Sequence, residues 1–342
     1  MSTRSAAAKV TAADHSQGTG APSSGDNRVA APERASRESG VYEVAPRSDW
    51  ATTPHAVHEK LREYVMRRLM PQRGMTGTWH QMFGDAVDGL LEREFLEEER
   101  HSVAAWARRA PACPDAFRAW MDDLRRVGPG QPQLYRWLEE HGDAPVLRRY
   151  LDHQLAVRCH LESLAGQVEL GLLPEGCTLA FSAMTHWDAV QAVAGRDTLR
   201  AAVEELGGPR KPGTLECWES HSVTNLVVGL VCNQTYAFQA VGALCAVDVQ
   251  TVAEGPMLLE AMSRAGVAGD VLQRYREYVA TAERRLDKWH RHVLRPLSEG
   301  NPMLVTPMAE GALMLLNAQS RFLRRCRTDA VRRLAPAQAR VA

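Results

Sequence analysis

Residues 218–252 read WESHSVTNLVVGLVCNQTYAFQAVGALCAVDVQTV, and this stretch decides the fold. Between Ser220 and Val247 it contains no Asp, Glu, Lys or Arg. That length would suit a membrane span, but uncharged polar residues from Asn233 to Gln239 interrupt it and no positively charged segment flanks one side. We therefore expect a buried pair of helices at the centre of a helical protein, with no membrane contact.

The sequence on both sides continues the apolar spacing of amphipathic helices. Asp143 is a good N-cap for one long helix, and we expect a turn at Glu254-Gly-Pro256. No segment alternates polar and apolar residues at the period of a strand, so we expect an all-α protein. The predicted helices are 58–69, 82–109, 114–127, 131–141, 143–171, 178–193, 197–206, 216–252, 257–264, 270–294 and 306–333.

Composition divides the chain into four parts. Residues 1–48 are rich in Ser, Ala, Gly and charge and almost lack large apolar side chains, which predicts a disordered N-terminal tail. Residues 49–130 are predicted to form accessory helices and residues 131–333 the main helical domain. Residues 334–342 are predicted to be a flexible C-terminus.

Charge and cysteine usage exclude some classes of function. The 41 basic residues equal the 41 acidic residues, so the chain lacks the basic excess of a nucleic-acid-binding protein. The seven cysteines show no CxxC spacing, and no apolar leader stands at the N-terminus. These features predict a cytoplasmic protein with reduced thiols.

Four segments carry a resemblance to a known family. They are Tyr150-Leu-Asp-His-Gln154, Trp187-Asp188, Gly242-Ala-Leu-Cys-Ala-Val-Asp248, and a helix that passes through Tyr278, Arg285 and Trp289 to Pro296-Leu297. In order and spacing they resemble the haem-oxygenase-like diiron oxidases, also called iron-containing redox enzymes, over roughly residues 133–327. The resemblance implies a haem-oxygenase-like multi-helical bundle for the main domain.

Most positions that hold iron in that family carry other residues here. The resemblance places them at Gln154, Ala189, Asp248, Tyr278, Ala282 and Arg285. Only Asp248 is a plausible ligand, and no histidine lies between His221 and His290 that could replace the missing ones. Because each direct ligand normally matters to affinity, we expect no cofactor, with iron as the alternative.

The same positions supply the candidate site residues. We expect Asp248 and Arg285 to form a buried ion pair that faces the family's metal cavity. Arg285 would bind an anionic group of the substrate, while Asp248 or Tyr278 would move a proton. The residues expected to bind substrate are Gln154, His186, Asp188 and Cys245.

Two alternatives use other residues. Glu98 and His101 have the carboxylate-x-x-His spacing of ferritin-like iron sites and could join Asp248 in a relocated metal site. They stand in a dense run of charge, which is equally typical of a solvated helix face. Cys245, one helical turn before Asp248, could be a thiolate nucleophile, although a buried cysteine is usually inert.

These observations predict an enzyme of specialised-metabolite biosynthesis that acts on a small amino-acid-derived or carrier-protein-bound substrate. Without iron, the reaction would be an elimination, a cyclisation or an isomerisation. One alternative is a non-catalytic subunit that stabilises a partner enzyme, with residues 216–252 and the basic helix Arg321–Arg333 as its surfaces. The other is an iron-dependent oxidase with an atypical site. Dimerisation, with itself or with another chain, stays open.

Overall fold

The computed structural model describes residues 53–69, 79–127, 133–141, 144–161, 194–208 and 217–338. Of these residues, 92% are helical and none is in a strand, which confirms the predicted all-α class. The predicted tail at 1–48 and the predicted helix at 178–193 lie outside the described residues.

The described helices are numbered in chain order. Most begin and end within a few residues of the sequence prediction, because their apolar faces repeat at the helical period. They are α1 Pro54–Leu69, α2 Trp79–Ala107, α3 Pro114–Val127, α4 Gln133–His141, α5 Ala144–Leu161, α6 at 194–205, α7 Trp218–Cys232, α8 Ala237–Arg264, α9 Gly269–Trp289, α10 Arg295–Gly300 and α11 Val305–Gln338.

The uncharged stretch forms two helices with a sharp break between them. Asn233 has extended backbone angles, and its side chain accepts a hydrogen bond from the backbone N–H of Thr235 at 3.1 Å. A short 3₁₀ turn at Gln234–Tyr236 then leads into α8. The helical stretch predicted at 216–252 is thus a pair of helices, as expected, and the break between them is at Asn233, whose side chain caps the new turn.

The turn expected at Glu254-Gly-Pro256 was also wrong, since α8 runs through these residues to Arg264. Pro256 lacks the N–H that would bond to the preceding turn, which normally favours a helix end. Here Gly255 packs tightly against α9: a Cβ atom added to it would lie 2.5 Å from Cγ2 of Val279. Helix α8 therefore continues through Pro256 at a point where it packs against α9. As a result, Glu254 lies on the same helix as Asp248.

Helix α9 ends earlier than expected. The prediction carried it to residue 294, whereas the α-helix ends at Trp289 and His290–Leu294 form a π-helical turn before α10. Pro296 stands in the first turn of α10, where its missing N–H costs nothing. The widened turn changes the helical register between α9 and α10.

Helices α8 and α11 cross at backbone contact. A Cβ atom on Gly242 would lie 1.8 Å from the carbonyl oxygen of Met308, and one on Gly311 would lie 1.8 Å from the carbonyl oxygen of Gln239. Each helix therefore has a glycine where the backbone of the other passes. Helix α8 also packs against α9, α3, α4 and α7, so it is the central helix of the described bundle.

Contacts of the described helices cross residue 130. Helix α3 packs on α8 and α2 packs on α11, so helices before this position share a core with those after it. The predicted division into accessory helices and a main domain stays a prediction.

Within the described residues, one helical stretch, Gln234–Arg264, is long and apolar enough to cross a membrane by length and composition. Of its most apolar window, 61% is buried inside the protein. That burial against α11 and α9 is typical of the core helix of a bundle.

Candidate functional site

Asp248 and Arg285 form the buried ion pair that the sequence predicted. Nε of Arg285 lies 3.2 Å from Oδ1 and 3.0 Å from Oδ2 of Asp248, and its Nη2 also donates to Oδ1. One turn further along α9, Nε1 of Trp289 donates to Oδ2 at 3.1 Å. Asp248 is 2% exposed and Arg285 5%, so both charges are removed from water.

This environment does not fit a diiron centre. The carboxylate of Asp248 already accepts hydrogen bonds from a guanidinium and an indole, and a guanidinium cannot give up its proton to become a ligand. Tyr278 and Ala282, at two further ligand positions, are buried on α9 and supply no carboxylate or imidazole. Iron needs several such donors around it, and the described residues around Asp248 do not supply them.

A cavity of about 70 Å³ lies among α4–α9 and α11. At roughly 10–15 Å³ for each water-sized volume, it has room for about five non-hydrogen atoms. One part of its wall is apolar: Leu199, Val223, Val227, Val247, Leu258 and Leu315. The remainder is polar: Tyr135, Tyr150, Gln154, Gln250, Thr251, Glu254, Tyr275 and Gln319.

Among the predicted site residues that the structure describes, Gln154 lines this cavity. Asp248, Arg285, Tyr278 and Cys245 are buried but are not part of its lining. His186 and Asp188 lie outside the described residues. The ion pair is present as predicted, but it does not line this cavity. Asp248 bonds to Arg285 and Trp289 of α9, whereas its neighbours Val247 and Thr251 on α8 line the cavity.

The polar wall is a chain of hydrogen bonds that ends at a carboxylate. Nε2 of Gln154 donates to the hydroxyl of Tyr150 at 2.8 Å, and the hydroxyls of Tyr150 and Tyr135 bond to each other. The hydroxyl of Tyr135 donates to Oε2 of Glu254 at 2.6 Å. Nε2 of Gln250 donates to Oε1 of Glu254 at 2.8 Å, one turn away on α8. Three helices, α4, α5 and α8, thus contribute to one polar network.

Burial, followed by the charge of Glu254, raises the pKa of both Tyr135 and Tyr150 well above the usual value for tyrosine. Both phenols are therefore protonated at neutral pH. Tyr135 donates to Glu254 and Tyr150 bonds to Tyr135, and neither phenol acts as a phenolate nucleophile.

The described lining of the cavity holds one carboxyl group, that of Glu254, and none of the described lining residues is Lys, Arg or His. The carbonyl oxygen Oε1 of Gln319 on α11 is buried and has no hydrogen-bond partner. A buried acceptor without a partner is costly, which indicates a place for a donor from a ligand.

The structure does not assemble the alternative metal site. Glu98 is exposed, and His101 has a side chain that is 71% exposed with its Nδ1 at 2.6 Å from the carbonyl oxygen of Glu97. Asp248, in contrast, is buried between α8 and α9. Across the part of the chain that the structure describes, no three His, Cys, Asp or Glu residues are grouped to hold a metal ion.

Sequence reasoning missed Tyr135, Gln250, Glu254 and Gln319. A signal existed for Glu254: with α8 continued through Pro256, it shares a helical stripe with Val247, Thr251 and Leu258. Gln319 likewise follows Leu315 on the inner side of α11. Glu254 was missed because a turn was expected at residues 254–256, which ended the helical stripe before it.

Comparisons with protein-family models, with curated protein sequences and with solved structures found no match to this chain.

Proposed function

We propose that this protein is a metal-independent enzyme on a haem-oxygenase-like helical scaffold. Its substrate is a small amino-acid-derived or carrier-bound molecule of specialised metabolism. Its site is the cavity around Tyr150. The observation that carries the proposal is the hydrogen-bonded chain from Gln154 through Tyr150 and Tyr135 to Glu254. Such a chain connects a substrate in the cavity to a carboxylate base.

The chain can transfer a proton without a metal. The oxygen of Tyr150 takes a proton from the substrate while its own proton passes to Tyr135, and the proton of Tyr135 passes to Glu254. In the reverse direction Glu254 supplies a proton to the substrate. Elimination, cyclisation and isomerisation each need such transfer, which contributes typically 10²–10⁴-fold to the rate.

The glutamines hold the ends of this chain in place. Gln154 donates to Tyr150 and so orients one lone pair of the phenol oxygen, which leaves the phenol proton directed to Tyr135. Gln250 donates to the Glu254 oxygen that Tyr135 does not use. Neither amide titrates, so neither competes for the transferred proton.

In this proposal Asp248 and Arg285 stabilise the fold and do not contact the substrate. Arg285 was expected to bind an anionic substrate group, but its guanidinium is used on Asp248. The pair joins α8, which carries Glu254, to α9, which carries Tyr275, and both of these residues line the cavity. It therefore positions the cavity wall.

The rival reading, a non-catalytic subunit, relied on two surfaces. The apolar length of α7 is buried from Glu219 to Val231, so it is not available to a partner. At the start of the basic helix, Arg321 bonds to Glu99 of α2 at 3.1 and 2.5 Å. The burial of α7 thus removes one of the two surfaces on which the partner-binding subunit relied.

The test is conversion of substrate by the purified full-length chain after treatment with a chelator. The panel contains amino acids, their decarboxylated amines and their carrier-like thioesters, with products followed by mass spectrometry. Tyr135→Phe and Glu254→Gln are expected to lower the rate by 10²–10⁴-fold. Tyr236→Phe is the matched control, since it removes another buried tyrosine–glutamate bond, 2.5 Å to Glu97, away from the cavity lining.

Three results would count against the proposal. Conversion that requires added iron would restore the oxidase alternative. Equal loss of rate in Tyr236→Phe and Tyr135→Phe would show a general effect on folding. A panel with no conversion, with or without iron, would favour the non-catalytic subunit.

A further inference from the structure

We propose that Cys217 and Cys326 are a redox-active pair, which a peroxide converts into a disulfide that joins the start of α7 to α11. Both residues are thiols in this structure, so the bond is one that oxidation forms. The proposal is independent of the proposed function, because the hydrogen-bonded chain from Gln154 to Glu254 uses neither cysteine.

The contacts between α7 and α11 define how the two helices are aligned. Nη2 of Arg321 donates to Oγ of Ser222 at 3.3 Å, and Nη1 of Arg325 lies 4.0 Å from Oε1 of Glu219. Moving three residues back along α7 therefore moves the contact four residues forward along α11. The two helices are antiparallel, and this alignment gives their register.

The same register holds further along both helices. Val223 and Val227 of α7 line the cavity together with Gln319 and Leu315 of α11. Position 223 is thus near position 319, and position 227 is near position 315. The alignment therefore extends over several turns of each helix and is not a local feature of the two polar contacts.

Extending the register places the cysteines opposite each other. Cys217 is two residues before Glu219, and Cys326 is next to Arg325 in the chain. Because one residue rises about 1.5 Å along a helix, the two cysteines are level to within about that distance. Both are partly buried and pack against the hydrophobic core.

Cys326 is also on the side of α11 that faces inward. It follows Leu315, Gln319 and Phe322 on one helical stripe, and Phe322 stacks on Tyr150 with ring centroids 6.2 Å apart. Axes of packed helices are about 8–10 Å apart, so level residues on facing sides come within the roughly 4.4–6.8 Å between Cα atoms that a disulfide spans.

Electrostatics agrees with this proximity. Burial, followed by the negative charge that Cys217 carries as a thiolate, raises the pKa of Cys326 well above its usual value. Burial also raises the pKa of Cys217 to about 11. Because the thiolate is the reactive form, both thiols react slowly at neutral pH, and the pair responds to sustained oxidation. The other charged groups near the pair are Glu219, Asp329, Arg149 and Arg325.

The reaction balances with hydrogen peroxide as the oxidant. The sulfur of one cysteine attacks a peroxide oxygen, the O–O bond breaks, and a sulfenic acid and one water form. The sulfur of the other cysteine then attacks the sulfenic sulfur, so that the S–S bond forms, the S–O bond breaks and a second water leaves. The two sulfurs lose two electrons, which the peroxide gains, and both thiol protons end in water. Exchange with a small thiol reverses the bond.

The disulfide would have a measurable effect on stability. It closes a loop of about 110 residues, which restricts the unfolded chain. A bond of this kind is expected to raise the melting temperature by about 5 °C. It also ties together α7 and α11, which both line the cavity.

The test uses the full-length chain, purified in reductant and then treated with hydrogen peroxide. Remaining thiols are alkylated, the protein is digested without reduction, and the peptides are identified by mass spectrometry. We expect a linked pair of peptides that contain Cys217 and Cys326 as the main disulfide, and we expect dithiothreitol to remove it. This mapping is done on wild-type protein and needs no variant to fold.

Variants connect the bond to the change in stability. Oxidation is expected to raise the melting temperature of wild type and of Cys113→Ser, in which an exposed cysteine is replaced, but not that of Cys217→Ser or Cys326→Ser. An equal rise in Cys326→Ser would overturn the proposal. So would Cys217 recovered as a sulfenic or sulfinic acid while Cys326 can still be alkylated, or a main disulfide from either residue to a different cysteine.

Discussion

Arg285 on α9 binds both carboxylate oxygens of Asp248 on α8, in an environment where neither residue is more than 5% exposed. Removing both charges from water is costly, and their attraction together with the bond from Trp289 offsets that cost only while the geometry is intact. The pair therefore makes the fold sensitive to loss of either partner.

Asp248→Asn is expected to lower the free energy of unfolding by about 3–5 kcal/mol, because it leaves the Arg285 charge buried without its counter-ion. Denaturation in urea measures this. The double variant Asp248→Leu with Arg285→Met removes both charges and is expected to recover most of the loss. A single variant within about 0.5 kcal/mol of wild type, the size of an ordinary surface substitution, would show that the ion pair is not essential.

The glycines of the α8–α11 crossing give a second prediction. Gly242→Ala places a Cβ atom against the carbonyl oxygen of Met308, so the two helices must move apart, at a cost of about 1–3 kcal/mol or more. Thermal unfolding measures the change. Gly84→Ala in α2 is the matched control, since its Cβ atom would meet nothing within 4 Å. The control is expected to stabilise by up to about 1 kcal/mol because alanine favours a helix interior.

If Gly84→Ala lowered the thermal stability as much as Gly242→Ala does, both effects would have a cause other than the helix crossing. Gly311→Ala provides a check from the opposite helix, where the contact is with the carbonyl oxygen of Gln239. We expect it to destabilise to a similar degree. A neutral result at both glycines would contradict the close approach of α8 and α11.

The helices were predictable because their apolar residues repeat at the helical period over many turns, as in α3, which has the predicted bounds 114–127. The errors came from local signals that tertiary contacts overrode. Pro256 predicts a helix end from its own chemistry, but packing of Gly255 on Val279 accompanies a continuous helix there. At Asn233, in contrast, the polar residues that interrupt the apolar stretch in the sequence coincide with the break between α7 and α8.

The site was predictable only in part. The Asp248–Arg285 pair was expected because the family resemblance aligned both residues with ligand positions around one cavity, and because Arg285 is at the edge of the apolar stripe of α9. The cavity could not be inferred, since Tyr135, Glu254 and Gln319 come from three helices whose mutual positions depend on packing. Gln154 could be identified from the sequence of a single helix, because it is an uncharged polar residue on an otherwise apolar stripe.

Two buried histidines predict how stability changes with pH. Burial, with the nearby charge of Arg321, lowers the pKa of His58 to about 4. Burial, followed by Arg149, lowers the pKa of His153 to about 4, with Arg325 acting in the same direction and Asp329 opposing it. The unfolded chain binds these protons near pH 6.5, whereas the folded protein binds them near 4.

Stability from both histidines is therefore complete above about pH 6.5 and is lost as the pH falls towards 4. The expected slope is about 1.4 kcal/mol per pH unit for each histidine, measured by urea unfolding at a series of pH values. His58→Phe keeps an aromatic ring stacked on Trp218 but removes one of the two proton-binding imidazoles. His153→Phe removes the other imidazole, together with its buried Nδ1 atom that lacks a partner. Each variant is expected to halve the histidine part of the slope, and an unchanged slope in both would refute this account.

The protonation state of the cavity tyrosines can be measured without a substrate. Because burial and Glu254 raise the pKa of Tyr135 and Tyr150, neither phenol is expected to ionise in the folded protein near pH 10, where exposed tyrosines do. In a spectrophotometric titration of the native chain, Tyr135→Phe and Tyr150→Phe should leave the amplitude near pH 10 unchanged. After denaturation the same variants should lose one of the seven tyrosine contributions. Loss of native amplitude in either variant would mean that the phenol is accessible to hydroxide, and a proton could then leave to solvent instead of passing along the chain to Glu254.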